Sequence, residues 1–526
     1  MSFPLLTVTA ALPAAGAIAT AAVPAARRTA AKWLALLVSL GTLALAVVQL
    51  ARFEPGGARY QLTESHAWIS DFGVRYDLGV DGIGVVMLAL TALLIPFVIL
   101  AGWHDADPLE THSSRWRPTQ GFFALILAVE AMVILSFEAT DVFLFYILFE
   151  AMLIPLYFLI GGFGDRAYAG SDEAAAAQRS YAAVKFLLYN LVGGLLMLAA
   201  VIGLYVVAGS FSLQDIVAAR AGGSLHMATG TERWLFLGFF FAFAVKAPLW
   251  PLHTWLPNAM GESTAPVAVL ITAVVDKVGT FAMLRFCLQL FPDASKWATP
   301  VILVLALISI IYGALLAVGQ RDIKRLIAYA SISHFGFIVL GIFALTTQGQ
   351  SGATLYMVNH GISTAVLMLV AGFLISRRGS RLIGDFGGVQ KVAPVLAGAF
   401  LIGGLATLSL PGLAPFVSEF LVLVGTFSAY PAAGIIATIG IVLAAIYVLV
   451  LYQRTMTGPV RATVRGMADL KVRELVVVLP LIALLVFLGV YPKPVTEIVN
   501  PAVKHTMSDV QKKDPRPSVP AVEAAK

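Results

Sequence analysis

Six ionisable side chains stand within apolar stretches of the sequence, where a charge is costly. Placing a charged side chain at the centre of a bilayer costs roughly 2.5–3.5 kcal/mol on insertion scales, so such residues usually mark ion paths. Burial disfavours the charged form of an amine and a nearby carboxylate favours it, so a change at the carboxylate can make a buried lysine release a proton. We therefore predict a lateral proton relay near the middle of a membrane, through Glu150, Lys246, Lys277, His334, His360 and Glu419.

The members of this relay are predicted to have different roles. Glu150, in the run LFYILFEAMLIPLYFLI, is the candidate partner that controls the protonation of Lys246. Histidine titrates near neutral pH and can shuttle protons from a fixed place, which favours a relay role for His334. For His360, a relay role and a neutral histidine hydrogen-bonded to a neighbouring helix are equally open. For the lysines, the alternative is a structural ion pair that fixes the register of two helices.

Four further charged residues lie in apolar runs, and the sequence predicts less for them. Lys185 and Arg285 lie nearer the ends of their runs, so their long side chains could extend to the interface. Asp276 adjoins Lys277 and therefore projects from a different part of the helix surface, where it could balance charge. Glu130 stands in the middle of its run and could couple the chain to a neighbouring subunit.

Several other kinds of chemistry lack the residues that they need. Cys287 is the only cysteine, so a disulfide, a thiolate zinc site and an iron–sulfur cluster have no ligands. The histidines lack metal-ligand spacing, and the chain has no glycine-rich dinucleotide motif, no P-loop and no serine-hydrolase elbow. We expect no cofactor and no metal in this chain. The net charge of +6 is concentrated in loops, which indicates membrane orientation and no nucleic-acid binding.

The composition identifies the elements that must position these residues. The chain of 526 residues is 59% hydrophobic and only 12% charged, with a mean hydropathy of +0.88. Apolar runs of about 20 residues, which cross about 30 Å of hydrocarbon, recur along it. The sequence predicts an all-α polytopic membrane protein with about 14 transmembrane helices, at 3–25, 33–51, 78–102, 119–138, 141–163, 181–208, 233–256, 262–290, 298–319, 323–346, 352–376, 394–428, 432–453 and 474–491.

Two of these helices are predicted to be interrupted. The stretch AFAVKAPLWPLHTWLP places the pair Pro248 and Pro251 shortly after Lys246, and LATLSLPGLAPFVSEF places Pro411 and Pro415 before Glu419. Proline removes a backbone donor and breaks a helix, and broken helices at matching positions of two halves are typical of inverted-repeat transporters. The predicted organisation is N-terminal helices 1–3 in 1–118, two inverted five-helix repeats in 119–290 and 298–453, a last helix at 474–491 and a polar, disordered tail in 492–526.

The basic residues of the loops predict the orientation of the chain. They are concentrated on one side, beginning with Arg27 and Arg28, and the positive-inside rule assigns that side to the cytoplasm. The first apolar run precedes these arginines, which is typical of a retained helix with an external N-terminus and not of a signal peptide. Because the number of spans is even, both termini are expected on the outer side.

Long motifs in this sequence resemble those of the antiporter-like subunits of proton-pumping NADH:quinone oxidoreductase, respiratory complex I. They run from about residue 76 to residue 425, and the fourteen-helix count fits the whole chain. The motifs are YDLGVDGI, FLFYILFEAMLIPLYFLIG, KFLLYN, AFAVKAPLWPLHTWLPNAMGESTAPVAVLI, DIKRLIAYASISHFGFIVLGI, NHGISTAVLML and LPGLAPFVSEFLVL.

The resemblance implies a role for each relay residue. Glu150 and Lys246 are similar to the acid–lysine pair of the family and Lys277 to its central lysine. The two histidines are similar to its connecting histidines, and Glu419 to its exit residue. Subunits of the L and N types carry a lysine in the second broken helix, whereas the M type carries a glutamate, and the L type adds a long lateral helix after its last span. Glu419 and the absence of such a helix from the prediction favour the M type.

The resemblance also implies partners and a location. The family's NADH, flavin, iron–sulfur clusters and quinone belong to partner subunits, and this chain would translocate protons in response to their chemistry. The expected partners are other complex I membrane subunits, especially the L-like and N-like ones, in the lipid bilayer of a bacterial inner membrane. A subunit of a Mrp-type cation/proton antiporter is the main alternative, and Glu419 argues against it because those chains usually carry lysine there. A membrane-bound hydrogenase subunit and a scaffold with purely structural charges stay open.

Overall fold

The computed structural model of the chain describes residues 3–107, 118–164 and 172–515. Its N-terminal part contains three helices that are long and apolar enough to cross a membrane, and an antiparallel hairpin between the second and the third. The elements are α1 (Leu5–Ala22), α2 (Arg28–Arg52), β1 (Gln61–Ile69), β2 (Val74–Val80) and α3 (Gly82–Ala101). The helices lie where the sequence predicts them, whereas the hairpin has no counterpart in the prediction.

The following helices form the first repeat. Asp141 caps its second helix by accepting hydrogen bonds from the backbone N–H groups of Phe143 at 2.9 Å and Leu144 at 2.8 Å. The fourth crossing stops at Lys246 and resumes at Leu256, as the prolines predict. The helices are α4 (Pro118–Glu138), α5 (Val142–Phe163), α6 (Asp172–Ala208), the short α7 (Leu213–Ala221), α8 (Thr229–Lys246), its continuation α9 (Leu256–Glu262) and α10 (Ala265–Leu290).

The second repeat has the same arrangement. Asp322 caps its second helix by accepting hydrogen bonds from the N–H groups of Lys324 at 2.9 Å and Arg325 at 3.2 Å. Its fourth crossing is also interrupted, between Thr407 and Ala414. The helices are α11 (Pro292–Val318), α12 (Ile323–Phe343), α13 (Thr347–Arg378), α14 (Pro394–Thr407), its continuation α15 (Ala414–Ala429) and α16 (Pro431–Met456). The caps and the breaks therefore match helix by helix.

The number of crossings agrees with the prediction once the broken helices are included. Twelve helices of the described residues are long and apolar enough to span a membrane. The two interrupted crossings fall outside that set because α8 carries three charged residues and because α14 and α15 have only 14 and 16 residues. Together they give the predicted fourteen.

Three helices form the centre of the fold. In α10, α12 and α13, between 94% and 100% of the apolar core of the helix is buried inside the chain, whereas α6, α16 and the last crossing bury less than two fifths of theirs. Lys277, His334 and His360 lie on these three central helices, so their side chains are shielded from lipid. The fold therefore provides a protein-lined interior for the predicted relay.

The predicted disorder of the tail at 492–526 is wrong for most of its length. After the last crossing, α17 (Val472–Val490), the chain forms an amphipathic helix, α18 (Lys493–Val510), with Val499, Val503 and Met507 buried on one side. The four-residue spacing of these apolar residues is helical, and proline is compatible with the first turn of a helix. The polar and proline-rich composition concealed this pattern. Residues 516–526 lie outside the described residues.

Helix α18 lies across the face of the protein that carries the hairpin. Asp509 binds the guanidinium of Arg59, with a shortest distance of 2.5 Å, next to the hairpin. Thr506 Oγ1 lies 3.4 Å from Gln289 Nε2 at the end of α10, and Asp514 accepts a hydrogen bond from the Thr347 N–H at 2.8 Å. The helix and the residues after it therefore contact both repeats on one face.

A buried ion pair joins the N-terminal part to the first repeat. Arg285 of α10 is 1% exposed and binds Asp81, the N-cap of α3, at 2.9 Å. The same guanidinium donates to the backbone carbonyls of Phe137 at 2.9 Å and Ala139 at 3.2 Å. Arg285 therefore does not extend to the interface, which the sequence left open, and its role here is structural.

Replacing Asp81 by alanine should destabilise the fold by about 3–5 kcal/mol, because it leaves the buried guanidinium of Arg285 without its counter-ion. The midpoint of thermal unfolding in detergent measures this loss. The control is Glu497→Ala, which breaks the exposed Lys493–Glu497 pair, N–O distance 3.3 Å. Exposed pairs of this kind contribute about 0–1 kcal/mol. Equal midpoints for the two variants would contradict a structural role for the buried pair.

Candidate functional site: a buried series of acids, lysines and histidines

The first helix break ends α8 directly after Lys246. The carbonyl of Val245, which loses its helical partner at the break, accepts a hydrogen bond from Trp255 Nε1 at 2.9 Å. On the far side of Pro248, the N–H of Trp250 donates to Ser309 Oγ of α11 at 2.8 Å. The side chains of the break region therefore satisfy backbone groups that the prolines release, as a break inside a membrane requires.

Lys246 is fully buried at the end of α8 and faces α5. Its Nζ donates to the backbone carbonyl of Phe149 at 3.1 Å and lies 4.2 Å from the centre of the Phe149 ring. Glu150 follows Phe149 in the sequence, and its charge acts on Lys246. The two side chains form no direct ion pair among the described residues. One carboxylate oxygen of Glu150 is buried without a hydrogen-bond partner. The structure thus brings the predicted acid and lysine near each other without a direct ion pair between them.

Lys277 lies on a short α-helical stretch of α10 between two π-helical segments, Leu270–Val275 and Met283–Cys287. Such segments interrupt regular helix pairing and are frequent at functional sites. Gly279, two residues beyond, lets α10 approach the break: a Cβ there would lie 2.9 Å from the backbone nitrogen of Ala247. The helix that carries Lys277 therefore passes directly beside the end of the helix that carries Lys246.

Asp276 adjoins Lys277 in the sequence and is a second buried acid whose charge acts on the lysines. It is fully buried, neither of its oxygens has a hydrogen-bond partner among the described residues, and its charge interacts with those of Lys277 and Lys246. No hydrogen bond of the described residues joins Lys246 to Lys277 directly. Asp276 is therefore an acid whose charge acts on both lysines.

From Lys277 the series continues through both histidines. Lys277 Nζ lies 2.6 Å from His360 Nδ1 and 4.1 Å from the centre of the Phe335 ring. The other ring nitrogen of His360 lies 3.2 Å from Thr364 Oγ1. The ring centres of His360 and His334 are 5.3 Å apart. The structure thus places both predicted histidines in one cluster with the predicted central lysine.

Tyr356 connects the histidines to Glu419. Its hydroxyl lies 2.6 Å from His334 Nδ1 and 3.4 Å from Glu419 Oε2, and Tyr447 OH lies 3.5 Å from the other nitrogen of His334. Glu419 is 3% exposed and lies in α15, just after the second break. Four of the six predicted residues, from Lys277 to Glu419, therefore lie in one continuous buried cluster.

Asn359 of α13 supports the second break. Its side-chain nitrogen donates to the carbonyl of Ala414 at 2.7 Å and to Ser418 Oγ at 3.2 Å, at the beginning of α15. Because Ser418 precedes Glu419, this amide fixes the start of the helix that carries the acid. The neighbours Asn359 and His360 thus hold the break and the relay from the same helix.

Tyr356 and Tyr447 belong to the cluster, yet the sequence analysis did not single them out. A signal for Tyr356 exists, because it precedes His360 by four residues and therefore lies on the same face of α13. Tyr447 is one of two tyrosines in α16, with Tyr452, and no spacing distinguishes it. A tyrosine in an apolar run is usually part of the core, so only the three-dimensional arrangement reveals these two hydroxyls.

Two other charged residues lie apart from the series. Lys185 is partly exposed, and its Nζ donates to Asn258 Oδ1 at 3.0 Å. Glu130 of α4 is fully buried, and neither of its oxygens has a hydrogen-bond partner among the described residues. Within the described residues, no group of three or more histidine, cysteine, aspartate or glutamate side chains could hold a metal ion.

Comparisons of sequence identify the relatives of this chain. The family model described as NADH:quinone oxidoreductase/Mrp antiporter, transmembrane part, matches residues 139–444. The NADH-quinone oxidoreductase subunit M of Mycobacterium tuberculosis H37Rv is 55% identical, over 99% of this chain and 98% of that one. The subunit M of Rhodobacter capsulatus is 37% identical over 96% of each chain. The similarity therefore extends over nearly the whole length of the chain.

Solved structures agree with these relatives. A chain of respiratory complex I from Thermus thermophilus superposes with a TM-score of 0.84 at 30% identity, over 96% of this chain and 99% of that one. A chain of the Mrp complex from Dietzia superposes with a TM-score of 0.83, over 97% and 100% of the two chains. At 20% identity, the second match shows a shared fold alone.

Proposed function

The chain belongs to the family of M subunits of NADH:quinone oxidoreductase, the antiporter-like membrane subunits of respiratory complex I, and we propose that it moves protons through the buried series from Glu150 to Glu419. As a subunit of this complex, it lies in the membrane and works with other complex I subunits. The proposal concerns which of its residues carry the proton. The observation that supports it best is the continuous cluster from Lys277 to Glu419.

The hydroxyl of Tyr356 lies between a base and an acid and has one proton to donate. It can donate to Glu419 while it accepts from His334 Nδ1, or donate to His334 while Glu419 carries the proton. Exchange between these two patterns moves a proton from the histidine to the carboxylate. In the same way, Lys277 passes its proton to His360 Nδ1. The ring centres of His360 and His334 are 5.3 Å apart without a direct hydrogen bond, so a bridging water molecule would carry the proton between them.

At the other end, Glu150 and Asp276 set the charge of the lysines. A proton arriving on Glu150 removes the negative charge that favours protonated Lys246. Lys246 then releases its proton towards the space beside Asp276, and Lys277 responds to the change in charge. In each acid–lysine pair, the protonation of the acid thus controls whether the lysine releases its proton. The chemistry of the partner subunits determines when the acid is protonated.

The redox chemistry of the complex belongs to those partners. In this proposal, NADH, the flavin, the iron–sulfur clusters and the quinone are bound by other subunits, and this chain holds no redox group. Its immediate neighbours in the membrane are the L-like and N-like antiporter subunits. The complex lies in a bacterial inner membrane, with both termini of this chain on the outer side. The positive-inside rule supports this orientation, because basic residues gather at the start of α12 and the end of α13, on the face opposite to the hairpin and α18: Arg321, Lys324, Arg325, Arg377, Arg378 and Arg381.

A subunit of a Mrp-type antiporter is the second candidate. The family model includes both classes, and the fold is shared. Purification of the tagged chain from its native membrane separates the two: recovery with subunits that bear flavin and iron–sulfur clusters, together with NADH oxidation, supports the complex I assignment. Recovery with small antiporter chains alone, without NADH oxidation, contradicts it.

Replacing Tyr356 by phenylalanine should slow NADH-driven proton translocation about tenfold or more. The variant keeps the ring but removes the hydroxyl between His334 and Glu419, and a positioned proton-transfer group typically contributes about 10²–10⁴-fold. The measurement is acidification of vesicles that contain the complex, followed with a pH-sensitive dye. Tyr205→Phe, which removes a hydroxyl near the α6–α7 turn, is the control. Unchanged acidification in the Tyr356 variant would remove this hydroxyl from the path.

A further inference from the structure

A wide polar cavity opens on the face opposite to the hairpin, between the two repeats. Its volume is about 990 Å³. The first turns of α6 form one side, the turn before α12 forms the floor, and the turn after α13 forms the other side. Its charged lining consists of Arg321, Arg325, Arg378, Arg381, Glu262, Asp322 and Asp385. A second cavity of about 640 Å³ shares Arg321 and Asp385 and adds Arg454 and Arg461.

The carboxylates of this cavity are already engaged. Arg381 binds Glu262 at 2.9 Å and Asp322 at 2.7 Å, and Arg325 lies 3.6 Å from Glu262. Asp385 accepts a short hydrogen bond from Ser380. Glu262 and Asp322 therefore hold Arg381 and Arg325 in place. Asp322 also caps α12.

Arg321 and Arg378 remain without an acidic partner. Neither forms an ion pair with any carboxylate of the described residues, and the Nε of Arg378 is buried with no hydrogen-bond partner. Counted over both cavities, six arginines stand against three carboxylates. A buried guanidinium nitrogen without an acceptor is costly, so Arg378 favours a bound anion. Arg321 lines the same cavity and is exposed, so its guanidinium is available to the same anion.

We propose that this cavity binds a phosphate group, supplied by the headgroup of an anionic phospholipid. Arginine is suited to this ligand because its planar fork matches two phosphate oxygens. The mouth of the cavity adjoins the surface that α6 turns to lipid, where Tyr181 is 60% exposed next to exposed Val184 and Leu188. Basic pockets between transmembrane helices on the cytoplasmic side are known binding sites for anionic headgroups.

A lipid at this position would connect the two repeats. The cavity is lined by α6 and α9 of the first repeat and by the ends of α12 and α13 of the second. A phosphate between Arg321 and Arg378 joins the start of α12 to the end of α13, and its acyl chains would lie along α6. The headgroup therefore stabilises the packing of the repeats, independently of the proton path.

The test uses the purified, delipidated complex and its thermal unfolding midpoint. Dioctanoyl phosphatidylglycerol should raise the midpoint, and in the Arg321→Gln/Arg378→Gln variant the concentration for half of this effect should increase about tenfold or more, because two charge-assisted contacts are lost. The Arg27→Gln/Arg28→Gln variant, which removes two exposed arginines outside the cavity, should respond like the parent. An identical response of both variants would overturn the proposal.

Two further arms identify the source of the phosphate. Dioctanoyl phosphatidylcholine should have little effect, and a response equal to that of phosphatidylglycerol would show that the arginines do not recognise the anionic headgroup, which overturns the proposal. Inorganic phosphate that protects at the same concentration as the lipid would keep the site and reject the lipid. Arg321→Lys/Arg378→Lys retains both charges but loses the planar fork, so its lipid response should lie between those of the parent and the glutamine variant. An equal loss in the lysine and glutamine variants would show that the charge of these residues does not attract the headgroup, which contradicts the proposal.

Discussion

Replacing Lys277 by alanine is expected to abolish NADH-driven proton translocation, with a decrease of about 100-fold or more. Lys277 is 1% exposed and is the only lysine in contact with a histidine of the cluster among the described residues, at 2.6 Å from His360 Nδ1. Alanine leaves a gap that neither Asp276 nor His360 can bridge. Proton transfer by a positioned group contributes about 10²–10⁴-fold, and acidification of vesicles containing the complex measures the loss.

Three controls separate transport from folding. Reduction of a soluble artificial acceptor by NADH occurs in partner subunits and should be unchanged, which reports assembly. Lys391→Ala removes an exposed lysine and should pump like the parent. Lys277→Ala also leaves Asp276 without its neighbouring cation, so Lys277→Ala/Asp276→Asn tests whether an uncompensated buried charge causes the loss. Recovery of pumping in that double variant would contradict a proton-carrying role for Lys277.

The sequence predicts the elements that hold the site because each has a strong local signal. Long apolar runs identify the crossings. The prolines after Lys246 place the first break within a residue of its position in the structure. A buried charge in such a run is rare enough to be noticed without any knowledge of its neighbours. For these reasons the residue types of the relay could be found one by one.

Other features depend on contacts between distant segments, which no local pattern records. Tyr356 becomes part of the relay only because α12 and α15 pack against α13 and bring His334 and Glu419 to its hydroxyl. Asp276 was expected to balance charge from a different part of the helix surface than Lys277. The approach of α10 to the first break, permitted by Gly279, explains why its charge acts on Lys246 as well as on Lys277. Helix α18 was missed because its apolar side is narrow within a polar segment.

The two repeats have their helix breaks at matching positions, but the ionisable residues beside the breaks differ in charge and in position. In the first, Lys246 is the last residue before the break, whereas in the second, Glu419 lies in the helix that follows it. The two breaks therefore carry ionisable residues of opposite charge, in opposite halves of a broken helix. A proton that leaves Lys246 at the first break and reaches Glu419 at the second neutralises both residues.

Replacing Glu150 by glutamine should decrease proton translocation about 100-fold, because it removes the carboxylate that controls Lys246 while keeping the size of the side chain. The structure offers a second way to disturb the same group. The carboxylate of Glu150 packs directly on the Cα of Gly194 in α6, and a methyl group at Gly194 would overlap it. Gly194→Ala should therefore displace the carboxylate and slow vesicle acidification about tenfold, although it changes no titratable group.

The matched control for this displacement is Gly162→Ala in α5, where a Cβ would meet nothing within 4 Å. Both variants exchange glycine for alanine inside a helix, so they alter helix propensity alike, by roughly 1 kcal/mol in favour of the helix. Only the first should alter the position of Glu150. Combining Gly194→Ala with Glu150→Gln should add little to the effect of Glu150→Gln alone, because the displaced group is then already absent. Additive losses in the double variant would show that Gly194 acts through packing, and normal pumping by Glu150→Gln would exclude this carboxylate from the control of Lys246.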